Sequence, residues 1–252
     1  MEILRNHRFP AFLQEVKVCI TAAAMVGNQP EAVRASEKPS GDVVMTEIIE
    51  QRFEIDCEKS APAITHVTLA DFDRSIATLV AAFIADPLVR WMFPNAKQYF
   101  CYFPQLLKHF AGGALDHGSA YRSENFEATA FWLPPSVTPD EEAMGAVMEE
   151  AIAAEFQSDV FAVLEQVGAS HPSVEHWYLP AIGVEPMLQG QGYGAALLAR
   201  GLEVCDDTHI ASYLESSNPA GIPFYKSFGF EVVGEIQAGS SSSITPMFRA
   251  AR

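Results

Sequence analysis

Hydrophobic and polar positions follow two different periods along the chain from residue 64 onward. Residues 64–67 alternate as a half-buried strand does, and other short apolar or alternating runs recur towards the C-terminus. The run at 127–133 ends at Pro134 and Pro135, which cannot continue a strand ladder. We therefore predict strands at 64–67, 120–123, 127–133, 177–184, 210–214, 230–236 and 244–248.

Between these strands, apolar residues return every three or four positions, as on one face of a helix. Thr68 stands at a helix N-cap position and precedes such a face, formed by Phe72, Ile76, Leu79, Val80 and Phe83. Thr138 and Pro139 form a second helix opening, with proline at the first helical position. We predict further helices at 104–115, 138–156, 159–167, 195–204 and 222–228, and an aromatic-rich connection at 88–93. Strands interleaved with helices indicate an α/β fold with a mixed sheet.

Residues 1–62 differ from the rest of the chain. The stretch 28–42 collects Gln, Pro, Glu, Ser, Lys and Gly without clear periodicity, which is typical of a linker. The segment 43–55 fits a helix or an extra strand equally well, and Met45 is an alternative start. We divide the chain into an extension over 1–62, partly linker or disordered, and one domain over 63–252.

Charge and composition narrow the class of protein. Of the 252 residues, 49% are hydrophobic, enough for a sizeable core, and no apolar run reaches the roughly 20 residues of a membrane span. The formal charge of −16 disfavours a nucleic-acid partner, because phosphate neutralisation needs clustered Lys and Arg. Four scattered cysteines indicate reduced thiols in the cytoplasm and no metal site. We expect no membrane partner, and either a monomer or a homodimer.

A glycine-rich segment stands between the predicted strand 177–184 and the predicted helix 195–204. Gly190, Gly192 and Gly194 alternate there, and glycines let a main chain approach a ligand closely. The unpaired N–H groups of a helix start form a receptor for phosphate. A turn without a ligand is the alternative. The segment lacks the Gly-Lys-Ser of a nucleotide triphosphatase loop, and it stands too far from the preceding strand for a dinucleotide fingerprint.

Two motifs in this region resemble a known family. Val184-x-Pro186-x-x-Gln189-x-x-Gly192-x-Gly194 is similar to the signature of the GNAT superfamily of acetyl-CoA-dependent N-acetyltransferases. The segment 223–230, with Tyr225 before a Gly-Phe pair, matches that family's second motif. Residues 171–179, 213–217 and 131–135 look like the puromycin N-acetyltransferase branch. The resemblance implies a mixed, mostly antiparallel central sheet flanked by helices and splayed at an acetyl-CoA site.

The resemblance also implies which residues hold acetyl-CoA. It places the acetyl carbonyl against main-chain N–H groups at the end of a strand, near Ile182, Gly183 and Val184. Asn218 matches a position that contacts the cosubstrate or its channel, although a turn before Pro219 explains it equally well. The pyrophosphate is expected over the main chain of Gln189, Gly190, Gln191, Gly192, Tyr193, Gly194 and Ala195.

Two side chains are candidates for proton transfer. Tyr225 matches the family position that protonates the departing sulfur, and a phenol with an ordinary pKa near 10 is protonated at neutral pH. Packing of a short helix is its alternative role. Glu215 is the preferred base, with Glu175, His176 or a water relay as alternatives, and Tyr178 lies on the same strand face as His176. The aromatic residues at 91–103 either line a pocket or, more in keeping with their type, belong to the core.

The function implied is acetyl-CoA-dependent N-acetylation of a primary amine on a small molecule, by direct attack in a ternary complex. An amino-bearing antibiotic is one candidate acceptor, since the resemblance does not carry the acceptor over. Acetylation of protein lysines or N-termini is an alternative activity. A non-catalytic module that senses acetyl-CoA is the alternative from another class, because fold alone does not fix function.

Overall fold

The computed structural model describes residues 61–252. The predictions for the extension over 1–62, the segment 43–55 and Met45 lie outside these residues, apart from the last two positions of the extension. Within 61–252 the chain forms a seven-stranded sheet in the order β1-β2-β3-β4-β5-β7-β6. The strands are β1 Ile64–His66, β2 Ala120–Ser123, β3 Ala128–Leu133, β4 His176–Val184, β5 Ala211–Ser216, β6 Glu231–Val232 and β7 Thr245–Arg249.

The sheet is mixed and mostly antiparallel, as predicted. Every neighbouring pair runs antiparallel except β4 and β5, which are parallel and are joined through a helix. The helices that cover the sheet are α1 Phe72–Ala82, α2 Pro87–Met92, α3 Ala96–Ala111, α4 Gly113–Asp116, α5 Glu141–Ala151, α6 Ala154–Ala169, α7 Tyr193–Asp207 and α8 Ile222–Ser227. None of them is long and apolar enough to cross a membrane.

The predicted connection at 88–93 is wrong, because Pro87–Met92 form helix α2 and Phe93 is its C-cap. The Asp86 side chain accepts hydrogen bonds from the N–H groups of Leu88 and Val89, both at 3.0 Å. Pro87 occupies the first helical position, where its missing N–H costs nothing. Asp-Pro is therefore a helix start here, a signal that the aromatic content of the segment obscured.

The helix predicted to begin at Pro104 begins at Ala96, after an Asn95 cap that accepts from the Gln98 N–H at 2.9 Å. Pro104 lies inside α3, although an interior proline costs about 3 kcal/mol. Burial of a continuous face of Tyr99, Phe103, Leu106 and Leu107 offsets that cost. The hydrophobic period, not the proline, therefore sets the limits of α3, which ends at Ala111.

Three further boundaries differ from the predictions. The cap of α5 is Asp140, which accepts from the Ala143 N–H at 3.1 Å, two residues after the predicted Thr138. Helix α5 ends at Ala151 and α6 already starts at Ala154, so the predicted break near 157 lies earlier. The predicted strand 230–236 shrinks to β6, followed by a single bridge between Ile236 and Ile244.

The two faces of the sheet carry separate cores. Phe131 and Leu133 pack with Leu79 of α1, Phe103 of α3 and Met148 of α5 on one face. On the opposite face, Trp132, Leu179 and Leu214 pack against α7 through Leu197 and Leu198. The Trp132 indole lies directly on Gly201 of α7, where any β-carbon would collide with its ring. The period of two along β3 thus assigns the helices to opposite layers.

Candidate functional site

The sheet opens between its two parallel strands. The pairing register between β4 and β5 covers only 176–178 opposite 211–213, although β4 continues to Val184 and β5 to Ser216. Phe131 pairs with Ala181 and Leu133 with Tyr178, so β4 carries one extra residue next to Pro180. A bulge of this kind bends a strand and re-aims its groups. The residues of β4 that follow Tyr178 thus present main-chain groups to a cleft, which agrees with the predicted splayed sheet.

The glycine-rich segment sits at the mouth of this cleft. Gly190 has φ of 76° and Gly192 has φ of 94°, values that side chains rarely permit, and open space lies beside both residues. Gly192 is also the N-cap of α7, whose first turn leaves N–H groups without helical partners. Gly194 instead packs near Val184 and Phe224. Two of the three glycines thus serve the backbone conformation and one serves packing.

Gly183 has a further reason to lack a side chain. A β-carbon at this position would lie 2.6 Å from the Ala82 β-carbon and 3.1 Å from Leu79 Cδ2. Helix α1 therefore packs closely against β4 at Gly183. Gly183, whose main-chain N–H is predicted to contact the acetyl carbonyl, is therefore also a contact between helix α1 and the sheet.

A cavity of about 880 Å³ joins this cleft to the helical layer. We call its two parts the turn half, bounded by residues 182–195 and 214–225, and the helical half, bounded by the end of α1 and by α2, α3, α5 and α6. The helical half is lined chiefly by Phe83, Leu88, Val89, Met92, Phe103, Leu106, Leu107, Phe110, Met144, Met148, Val163, Leu164 and Val167.

Most of the predicted site residues line this one cavity. They are Ile182, Gly183, Val184, Gln189, Gly190, Gly192, Gly194, Ala195, Glu215, Asn218 and Tyr225. Gln191 and Tyr193 do not line it, and Gln191 is exposed. The Gln189 side chain donates to the Val184 carbonyl at 3.4 Å, which ties the start of the turn to the end of β4.

Glu215 places a carboxyl group in the cavity lining, near the end of β5. Its side chain is only 7% exposed. Burial raises the pKa of Glu215 to about 7, and the neighbouring hydroxyls of Tyr178 and Tyr213 oppose that rise. A carboxyl with a pKa near 7 exchanges protons readily at neutral pH, as a general base must.

Two histidines form a chain of contacts that begins at Glu215. His171 Nε2 lies 3.5 Å from Glu215 Oε1, and His171 Nδ1 lies 3.0 Å from His176 Nε2. His176 Nδ1 in turn contacts the Val174 carbonyl at 2.7 Å. Burial, and then the neighbouring His176, lower the pKa of His171 to about 4, so His171 is neutral at physiological pH. Of the alternative bases, His176 thus reaches Glu215 only through His171.

Tyr225 lines the cavity from α8, on the side of the turn. Burial, followed by the Asp86 carboxylate, raises the pKa of Tyr225 to about 12, so its phenol is protonated at neutral pH. A β-carbon at Gly221 would lie 3.3 Å from the Tyr225 ring, so the glycine makes room for it. Phe224 and Phe230 pack edge-on against the ring and fix its orientation.

Asn218 has a clear local role. Its side-chain oxygen accepts from the Ala220 N–H at 3.0 Å and so caps the short turn Pro219–Gly221. Its main-chain carbonyl accepts from the Ser216 hydroxyl at 2.8 Å. The turn interpretation therefore accounts for this residue, and a contact with the cosubstrate stays a prediction.

Sequence reasoning missed Asp86. Its side chain is buried, caps α2, accepts from the Ser217 hydroxyl at 2.6 Å and lines the cavity. The Asp86-Pro87 pair was the available signal, because Asp before Pro is a strong helix opening. That signal predicts a cap, whereas the contact with Ser217, 131 positions away, appears only in the fold.

The aromatic residues at 91–103 belong mainly to the core. Phe93 and Tyr99 are fully buried, and the Tyr99 hydroxyl donates to the Val80 carbonyl at 2.6 Å. Phe103 is buried and also borders the helical half of the cavity. The core interpretation thus accounts for most of this cluster.

Comparisons with known proteins identify the class. Residues 107–230 match the model of the acetyltransferase (GNAT) family. An uncharacterized N-acetyltransferase of Schizosaccharomyces pombe is 23% identical over 184 residues, which cover 67% of this chain and 74% of that protein. The chain is an acetyltransferase enzyme.

Solved structures show the same fold. A Corynebacterium glutamicum protein described as histone acetyltransferase HPA2 and related acetyltransferase has a TM-score of 0.56 at 23% identity, covering 76% of this chain and 97% of its own. A Drosophila melanogaster polyamine N-acetyltransferase has a TM-score of 0.51 at 14% identity, with coverage of 75% and 99%. These likenesses show the fold, and the match to the acetyltransferase (GNAT) family model covers residues 107–230 of it.

Proposed function

We propose that this enzyme transfers an acetyl group from acetyl-CoA to a primary amine of a small molecule, by direct attack in a ternary complex. One observation carries the proposal: a single cavity joins the glycine turn to a buried carboxyl, Glu215, and a half-buried phenol, Tyr225. An acetyl donor on the turn and an amine near Glu215 would meet inside it.

The turn half fits acetyl-CoA. Open space beside Gly190 and Gly192 and the free N–H groups at the start of α7 suit a pyrophosphate. Among the residues described, the cavity lining holds no Lys, Arg or His, so the main chain must supply the donors. Beyond Tyr178, the β4 main chain near Ile182 and Gly183 faces the open cleft, where N–H groups suit an acetyl carbonyl.

Acetyl-CoA supplies an activated thioester, and side chains of the enzyme transfer the protons. Glu215 accepts a proton from the attacking amine, for which its ionised form is needed. Main-chain N–H groups of β4 stabilise the charge that develops on the carbonyl oxygen. Tyr225 donates its proton to the sulfur as the carbon–sulfur bond breaks. The product amide and CoA then leave, and the Tyr225 phenolate takes a proton from water.

The cavity favours a small acceptor over a protein. Its helical half is bounded on several sides by α2, α3, α5 and α6, whereas a lysine on a protein surface needs an open groove. The resemblance to the puromycin N-acetyltransferase branch keeps an aminonucleoside among the candidates. A cytoplasmic location, where acetyl-CoA and free thiols such as Cys101 and Cys205 coexist, is part of the proposal.

A thermal-shift and thiol-release assay tests this function. We expect acetyl-CoA to raise the melting temperature and to release CoA thiol when a suitable amine from a panel of amines, aminonucleosides and peptides is added. Stabilisation by acetyl-CoA without consumption of any acceptor would indicate a sensor. Failure of CoA and acetyl-CoA to stabilise the protein would refute both functions, and a preference for peptides would refute the small-molecule acceptor.

A further inference from the structure

The helical half of the cavity has a composition that selects its occupant. Along the lining that the structure describes, the charged side chains are two carboxylates, Asp86 and Glu215. Asp86 at the start of α2 accepts a hydrogen bond from Ser217 of the turn half, and Glu215 lies two residues before Ser217. Deeper in, α5 and α6 contribute apolar side chains such as Met144, Met148, Leu164 and Val167.

From this distribution we propose that the acceptor is a hydrophobic monoamine: one primary amine on an aliphatic or aromatic group without a second charge. The proposal rests on the acetyl transfer proposed above. The two carboxylates attract the ammonium form to the reaction centre, and the apolar walls take the rest of the molecule.

The apolar walls of the helical half disfavour amines that carry a second charged group. A second ammonium would lie among Met148, Leu164 and Val167 without a carboxylate to pair with it. A carboxylate on the acceptor would meet no cation along the lining between residues 82 and 244, and would be repelled by Asp86 and Glu215. Burial of an unpaired charge costs several kcal/mol, so discrimination is expected to be large. Methionines on α5 adapt to groups of different shape, which allows several tails to fit.

Two matched pairs of amines test this class on the wild-type enzyme. Hexylamine and 1,6-diaminohexane differ by one ammonium, and 2-phenylethylamine and phenylalanine differ by one carboxylate. We expect kcat/KM to be at least about 10²-fold higher for the monoamine of each pair. Equal or reversed preferences with acetyl transfer intact would overturn the acceptor class but not the function. No transfer to any amine, with acetyl-CoA binding retained, would instead overturn the function.

A variant sharpens the test. Leu164 is half-buried in the wall of the helical half, so Leu164→Glu places a carboxylate there. We expect it to raise the ratio of kcat/KM for 1,6-diaminohexane over hexylamine by about tenfold. Leu69→Glu, at an 84% exposed residue outside the cavity, is the control and should leave the ratio unchanged. An unchanged ratio in a folded Leu164→Glu enzyme would contradict the placement of the acceptor tail.

The His171–His176 pair carries a second, independent inference, because its contacts fix which nitrogen holds each proton. His176 Nδ1 must donate to the Val174 carbonyl, which leaves its Nε2 as an acceptor. His171 Nδ1 must therefore donate to His176, and His171 Nε2 is left as an acceptor facing Glu215 at 3.5 Å. Contacts of this length often tighten when substrate binds.

We infer that this pair is a proton relay that returns Glu215 to its ionised form after each turnover. Glu215 passes the proton taken from the amine to His171 Nε2, while His171 gives its Nδ1 proton to His176 Nε2. His176 then releases one proton to water, and proton exchange with water returns both rings to their starting tautomers. One proton thus enters and one leaves in each turnover. The relay ends at a second cavity of about 380 Å³, lined by His171, His176 and Tyr178 and by the carboxylates of Glu141 and Glu175.

Chemical rescue tests the relay. The rings of Tyr178 and Tyr213 pack against His171, so His171→Phe keeps the aromatic contacts and removes both nitrogens. We expect kcat to fall about tenfold in dilute buffer and to recover as imidazole, which fits the second cavity, is added. His117→Phe, at an exposed histidine, should keep wild-type kcat with no imidazole dependence. Full activity of His171→Phe in dilute buffer, or a loss that imidazole does not restore, would overturn the relay.

Discussion

The two halves of the cavity are built from different parts of the chain. The turn half comes from main-chain groups of one continuous stretch, with positive φ at Gly190 and Gly192 and the first turn of α7 directly after them. The helical half comes from side chains of α2, α3, α5 and α6, which lie far apart in sequence. A ligand site made of backbone leaves a mark in the sequence, whereas one made of scattered apolar side chains resembles ordinary core.

The largest expected effect comes from a side chain of the turn half. Tyr225→Phe should lower kcat by roughly 10²–10⁴-fold, the usual contribution of a general acid, with little change in KM for acetyl-CoA. Steady-state kinetics measure both constants. Tyr102→Phe removes a phenol that contacts Glu150 on the surface and serves as the control. Unchanged turnover in a folded Tyr225→Phe enzyme would leave the ring with a packing role only.

Substitution of Glu215 should lower kcat less than substitution of Tyr225 does, and it should also change the pH dependence of kcat. Because burial raises its pKa to about 7, the carboxyl is protonated and inactive below that pH, and kcat rises as pH increases through it. Glu215→Gln should lower kcat by about 10²-fold at pH 8 and remove this inflection. Glu165→Gln, at an exposed residue of α6, should keep the wild-type pH profile. Persistence of the inflection in Glu215→Gln would assign the base to another group.

Gly192 tests whether the turn half depends on backbone conformation. Its φ of 94° is strained by about 1–2 kcal/mol for any L side chain, so Gly192→Ala should relax the turn and weaken acetyl-CoA binding about tenfold. Gly118 has φ of 62° outside the cavity, and Gly118→Ala is the matched control. Calorimetric titration should find its Kd unchanged although its melting temperature falls. Equal affinities in both variants would contradict a main-chain site.

The smallest expected effect is at Gln191. Its side chain is exposed and does not line the cavity, so Gln191→Ala should change the Kd for acetyl-CoA by less than about twofold. The same titration measures it. A tenfold loss would show that side chains, and not only the main chain, hold the donor in the turn half.

The sequence predicted the glycine turn and the strands, apart from most of 230–236, because both leave regular local patterns. The alternation along 64–67 and the glycines after 184 are such patterns, and each lies where expected. The boundaries of α3 and α5 were wrong because Pro104 and Thr138 are local signals that burial and the better cap Asp140 overrode. Nothing local could predict the helical half, since Met148 and Leu164 meet only after the helices pack.

The approach of His171 to Glu215 lay equally outside the reach of sequence reasoning. The two residues are 44 positions apart, and the loop before β4 brings them to 3.5 Å. The sequence singled out Glu215 and His176 as separate candidates for one role. The structure instead connects them through His171, which the sequence marked only as part of the segment 171–179.

The contact of Trp132 with Gly201 provides an optical reporter. The indole is 1% exposed and lies on α7, the helix whose first turn borders the glycine turn. The chain has three tryptophans, and replacing Trp91 and Trp177 with phenylalanine leaves Trp132 as the sole one. Its fluorescence then reports on the surroundings of α7. If the emission responds to CoA but not to an amine alone, it distinguishes occupation of the turn half from occupation of the helical half in real time.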